Sequence, residues 1–149
     1  MFRGTNKLSI DAKGRISIPT RYREGVLDQS EGRVVITVDR DRCLLIYPFL
    51  NWEPIERKLS ALPALNNEIR QYQRLILGYA SEVEVDKSGR ILISKELREF
   101  AGLQKQAILT GQGNKFELWN EDNWMERMEE WINASEQLDL PDELKKLSL

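Results

Sequence analysis

The chain has 149 residues, 41% hydrophobic and 31% charged, with 22 lysines and arginines against 24 aspartates and glutamates for a net charge of −2. There is no histidine and one cysteine, which excludes nitrogen and sulfur metal sites and histidine-dependent nucleophilic catalysis. The length suits one domain or two small modules sharing a core. No apolar run approaches the about 18 residues of a membrane helix, and MFRGTNKLSID has no hydrophobic leader core, so a cytoplasmic protein is expected.

From the amino terminus, KLSID alternates apolar and polar residues as a half-buried strand does, and RISI alternates again after AKG, whose glycine suits a turn residue at positive φ. Pro19 and Thr20 open a short helix. VVITV and CLLIY form a hairpin around Asp39–Arg42, followed by a longer helix over 49–62. Cys43 lies in the second of these apolar runs and is expected to fill core space rather than react. Next, LNNEIRQYQRLILG places Leu65, Ile69, Tyr72 and Ile76 on one face of a connecting helix that Gly78 can end.

The pattern then starts again. EVEVD and RILI flank KSG, Ser94 can cap a short helix that Gly102 ends, AILT and KFELW form a hairpin around GQGN, and a helix follows over 121–134. The stretch DAKGRISIPTRYRE (11–24) and its second copy DKSGRILISKELRE (86–99) share Asp, Gly, Arg, Ile, Ile, Arg and Glu, and the correspondence extends through Thr37 and Thr110 to Asn51-Trp52 and Asn123-Trp124. The expected organisation is a first repeat over 1–62, a connecting helix over 63–78, a second repeat over 79–134 and an acidic tail over 135–149. One such unit cannot bury enough apolar surface alone. Two can complete one core, so the expected fold is α+β, with tandem β-hairpin/helix repeats related by a pseudo-twofold.

Charge is segregated along the chain. Residues 1–23 hold Arg3, Lys7, Lys13, Arg15, Arg21 and Arg23 against Asp11 alone, whereas from Asn120 onward three cations face nine acids. An acidic protein can therefore still present a basic face to a polyanion.

The pattern Asp11, Gly14, Arg15, Ile16, Ile18, Pro19, Arg23 resembles the signature of the AbrB/SpoVT-type swapped-hairpin regulators. With the MFRG start and the second copy Asp86, Gly89, Arg90, Ile91, Ile93, the chain resembles the MraZ family over residues 1–134. The resemblance implies a swapped-hairpin β-barrel with flanking helices and a DNA-binding transcriptional regulator. It also implies repression of the protein's own cell-division and cell-wall operon by a ring-shaped homo-oligomer that binds short promoter repeats.

On that reading Arg15 and Arg90 contact double-stranded DNA, because arginine presents a planar fork to guanine or phosphate. Lys13, Arg3 and Lys7 add phosphate attraction. Asp11, Gly14, Asp86 and Gly89 shape the loops. Asp11 and Asp86 as turn formers, and each arginine as a surface residue paired with its own aspartate, are the structural alternatives. The second motif has less positive surroundings, with Ser88 in place of Lys13 and Glu96 in place of Arg21. Trp124, Met128 and Trp131, spaced i, i+4, i+7 beside Glu126, Glu129 and Glu130, suit packing rather than base stacking.

The expectation is thus a non-enzymatic, nucleoid-associated regulator with no cofactor, metal, membrane partner or small-molecule substrate. The alternative is an oligomeric scaffold or protein-interaction module.

Overall fold

In the computed structural model, which describes residues 1–137 and 140–148, the alternating segments become β1 (Thr5–Ser9), β2 (Arg15–Ser17), β5 (Ser81–Glu84) and β6 (Arg90–Leu92). The continuous apolar runs become β3 (Arg33–Val38), β4 (Leu44–Pro48), β7 (Gln106–Gly111) and β8 (Phe116–Asn120). Between them lie α1 (Thr20–Ser30), α2 (Phe49–Ser60), α3 (Asn67–Tyr72) with a π-helical continuation over Gln73–Leu77, α4 (Lys95–Ala101), α5 (Glu121–Gln137) and α6 (Asp142–Lys145). The protein is α+β. Of the expected tail, residues 138, 139 and 149 lie outside the described residues.

Six strands pair in the order β1-β7-β8-β4-β3-β5, and β2 pairs with β6 in a separate ribbon. Exchanging the two copies reverses the first order and leaves it otherwise unchanged, so a pseudo-twofold passes between β4 and β8 and between β2 and β6. The opening strands of each copy pair with the other copy: β1 with β7, β5 with β3, and β2 with β6, all antiparallel. The hairpins are swapped within one chain. Among the described residues the ladders do not join into one closed barrel; β1 and β5 are edges, and the ribbon faces the sheet across a shared core.

The continuous apolar runs are explained by burial on both faces. Val34, Ile36 and Val38 point toward the ribbon and α1, where Ile16, Ile91, Tyr22 and Val26 meet them. Val35 points the other way, with Leu45, Tyr47, Trp52 and Trp119, toward α2 and α5. Each fully buried Ile or Leu there contributes about 1.5–3 kcal/mol. Cys43 is fully buried in this second cluster, and burial pushes its thiol pKa up. Buried Thr37 is satisfied by donating from Oγ1 to the Ile76 carbonyl at 2.6 Å.

Ser94 Oγ accepts from Leu97 N–H and Gly102 ends α4 at φ 63°, as the sequence predicts. The connector differs. Asn66 caps α3 through its Oδ1, so Leu65 precedes the helix and is 93% exposed instead of lying on its buried face. The π-helical turn then directs Ile76 and Leu77 onto the second cluster. Gly78 is helical (φ −64°), and a Cβ there would stand 2.1 Å from the Arg74 carbonyl oxygen, so close approach rather than positive φ explains it.

Candidate nucleic-acid interface

The loops before β2 and β6 are the same structure built twice. Asp11 Oδ1 accepts from the backbone N–H of Lys13 at 2.9 Å and of Arg15 at 2.8 Å; Asp86 Oδ1 accepts from Ser88 and Arg90, both at 2.9 Å. Backbone bonds close each turn, Gly14 N–H to the Asp11 carbonyl at 3.0 Å and Gly89 N–H to the Asp86 carbonyl at 2.9 Å. The glycines sit at φ 90° and 78°, conformations that L side chains rarely adopt. Asp11 and Asp86 are therefore loop formers, with their carboxyl pKa values lowered first by the Arg15 and Arg90 backbone N–H groups, respectively.

The same aspartates face the arginines. Arg90 Nε donates to Asp86 Oδ2 at 3.0 Å, whereas Arg15 Nε lies 3.3 Å from Asp11 Oδ2 without hydrogen-bond geometry. The Arg15 fork is the less committed of the two. Both arginines open their strands rather than standing at a loop tip.

Register places them together. Arg15 lies opposite Leu92, Ile16 opposite Ile91, and Ser17 opposite Arg90. The two isoleucines are buried at 1% and 0% exposure, so period-two alternation puts Arg15, Ser17, Arg90 and Leu92 on the ribbon's outer face. Arg15 and Arg90 are diagonal neighbours, about 7–8 Å apart at Cα. The charge of Arg90 also reaches Asp11 in the other copy's loop. Two motifs 75 residues apart thus share one face of the ribbon.

Each loop is braced by the opposite copy. Arg98 lies over Gly14, where a Cβ would come within 2.7 Å of its Nε, and Arg23 lies over Gly89, where a Cβ would come within 2.3 Å. Arg23 Nε donates to the Ile18 carbonyl at 2.8 Å and Arg98 Nε to the Ile93 carbonyl at 3.1 Å. Ile18 N–H donates to the Gly89 carbonyl at 2.8 Å and Ile93 N–H to that of Gly14 at 2.9 Å. Sequence reasoning assigned no role to Arg23 and Arg98. Their signal was their place among the identities shared by the two copies.

Exposed Lys13 stands in the first loop, and exposed Lys87 stands one position earlier in the second. Lys7 is elsewhere: it projects from β1 on the face away from the ribbon and pairs with Glu121 of α5 at 3.2 Å. Arg3 precedes β1, at the end remote from the Asp11 loop, and lines a cleft with Arg21 and Asn51. Trp119, Trp124 and Trp131 pack in a mutual edge-to-face cluster at 5.6–5.7 Å, with Trp124 against the core. Among the described residues no acidic or cysteine cluster could hold a metal, and no helix is long and apolar enough to cross a membrane.

A family described as "MraZ protein, putative antitoxin-like" matches residues 1–75 and again 76–143. The chain belongs to the MraZ family. Similar MraZ proteins include the "Transcriptional regulator MraZ" of Halorhodospira halophila, 50% identical over 152 residues, and that of Nitrosomonas europaea, 52% identical over 149. The protein of the same name from Coxiella burnetii is 51% identical over 154 residues. Each alignment covers all of both chains. Each family match contains one copy of the Asp-x-x-Gly-Arg loop, and the strands of the two copies interleave, one ribbon per chain.

Proposed function

We propose that this chain is a DNA-binding transcriptional regulator, a non-enzymatic repressor of its own cell-division and cell-wall operon. It lays the β2–β6 ribbon on the major groove of short repeated promoter elements. The observation that carries this reading is the pairing of Arg15 and Arg90 on one outer face, each on an aspartate-braced loop. A two-stranded ribbon fits the major groove, and an arginine fork pairs with guanine O6 and N7. The relatives' printed name, transcriptional regulator, supports the same role.

Arg15 and Arg90 are the base or phosphate contacts and Lys13 a phosphate contact; Asp11, Gly14, Asp86 and Gly89 position them. Arg3 and Lys7 fall outside the ribbon and are the weaker candidates for direct contact. A single ribbon carries few cations for an acidic protein, so affinity at physiological salt comes from several protomers of a ring engaging successive elements. Such a protein acts at the nucleoid.

Fluorescence anisotropy with a duplex from upstream of the protein's own coding region, repeated between about 50 and 200 mM salt, tests this. Binding falls steeply with salt, and Arg15→Ala or Arg90→Ala weakens it by about 1–3 kcal/mol for each engaged ribbon while light scattering reports the same oligomer. An Arg15→Ala protein that binds as the parent does overturns the contact. An intact oligomer with no affinity for that duplex points to a scaffold.

A further inference from the structure

The outer face of the ribbon holds one residue that a phosphate-binding surface does not need. Leu92 is 49% exposed, directly opposite Arg15. Directly opposed residues have Cβ atoms about 4.5–5.5 Å apart, so Leu92 and Arg15 rise side by side from the ribbon. The pseudo-equivalent position, opposite Arg90, is the exposed Ser17. Leu92 is not needed to close the core, because the inward position of β6 is taken by Ile91 at 0% exposure.

Isolated exposed leucines are ordinary on protein surfaces. The position of this one is not. A surface that only neutralises phosphates gains nothing from a leucine beside its arginines, whereas a surface that reads bases does. In the major groove the only apolar group on a base edge is the thymine C5-methyl.

From this geometry we infer that Leu92 is a specificity-determining residue, packing against a thymine C5-methyl beside the base read by Arg15. The inference rests on the regulator reading above and adds to it a base identity that no arginine can supply. The ribbon's two arginines are related by the pseudo-twofold, but Leu92 and Ser17 are not alike. The Arg15 end therefore demands a neighbouring thymine and the Arg90 end does not.

The test takes the shortest upstream duplex that the wild-type protein shifts and replaces its thymines one at a time with deoxyuridine, which removes only the methyl group. Wild type loses affinity by about fourfold at one such thymine, the equivalent of one buried methyl at about 0.8 kcal/mol. Leu92→Ala loses about that factor for each engaged ribbon on the unmodified duplex and shows no further loss on the deoxyuridine duplex. Leu92→Ser, which makes the two ends of the ribbon alike, behaves the same way. If no thymine replacement changes wild-type affinity, or if Leu92→Ala keeps the wild-type dependence, Leu92 reads no methyl. These results are separable from failure of the regulator reading, in which the wild-type protein does not bind the unmodified duplex, or Arg15→Ala binds it equally well. The thymine arm uses only wild-type protein, so a null result there overturns the inference even if a variant folds poorly.

Discussion

Replacing Gly89 with alanine tests whether the two copies brace one another. At φ 78° an alanine is strained, a cost of about 1–2 kcal/mol. Its Cβ would stand 2.3 Å from Arg23 Nε, 2.5 Å from Cζ and 2.9 Å from Cδ, so the Arg23 side chain must leave. Leaving breaks its 2.8 Å bond to the Ile18 carbonyl. A hydrogen bond from a charged donor contributes about 1.5–3 kcal/mol, so Gly89→Ala costs about 3 kcal/mol in total and lowers Tm by roughly 6–12 °C for a chain of this size. Arg23→Ala alone costs about 2 kcal/mol by losing the same bond. The double variant also costs about 3 kcal/mol, since the clash no longer has a partner and the bond is already gone; simple addition would give about 5. Thermal and denaturant unfolding of the four proteins in this cycle measures the difference. Costs that add within about 0.5 kcal/mol refute the brace, because the residues would then act independently despite their contact.

Three further outcomes follow from the same geometry. Trp119 is 1% exposed and packs against Trp124 and Trp131; Trp119→Ala should cost about 3–5 kcal/mol in denaturant unfolding, and a loss below about 1 kcal/mol contradicts the packing. The folded pKa values of Asp11 and Asp86 are lowered, so their contribution to stability is present above the ordinary unfolded value near 3.9 and is lost as pH falls through the lower folded values. With no histidine in the chain, Tm should be nearly constant between about pH 6 and 8 and drop on acidification below about pH 4, less so in Asp11→Asn/Asp86→Asn; a marked change near neutrality argues against this assignment. Finally, Lys13→Ala should reduce the salt slope of DNA binding by about 1 for each engaged protomer, while Lys7→Ala, which loses its Glu121 pair on the other face, leaves it unchanged. The reverse order would place DNA on the wrong side of the sheet.

Much of the site could be read from residues alone. Asp-x-x-Gly-Arg specifies its turn through local bonds, in which the side-chain carboxylate accepts from the backbone N–H groups two and four residues on, and these need no distant partner. The Ser94 cap and Gly102 terminus of α4 are equally local. The position of Lys7 was also latent in the alternation, since it is out of phase with Leu8 and Ile10, which face the ribbon-side core. The roles of Arg23 and Arg98 were not legible, because each acts on a glycine in the other copy. Leu65 misled because helical periodicity ignores where a cap forms, and with Asn66 as the cap the helix begins at Asn67, two residues after Leu65.

The sequence by itself determined the repeat, the turns and the strand faces, because these depend on residues within a few positions of one another. Pairing belonged to the tertiary structure. Either copy's β1 and β2 could in principle have closed on themselves, and only the packing of Ile16 and Ile91 beneath a shared ribbon, with the sheet wrapped around the same core, favours exchange. That exchange sets Arg15 and Arg90 side by side, turning two turn motifs 75 residues apart into one surface.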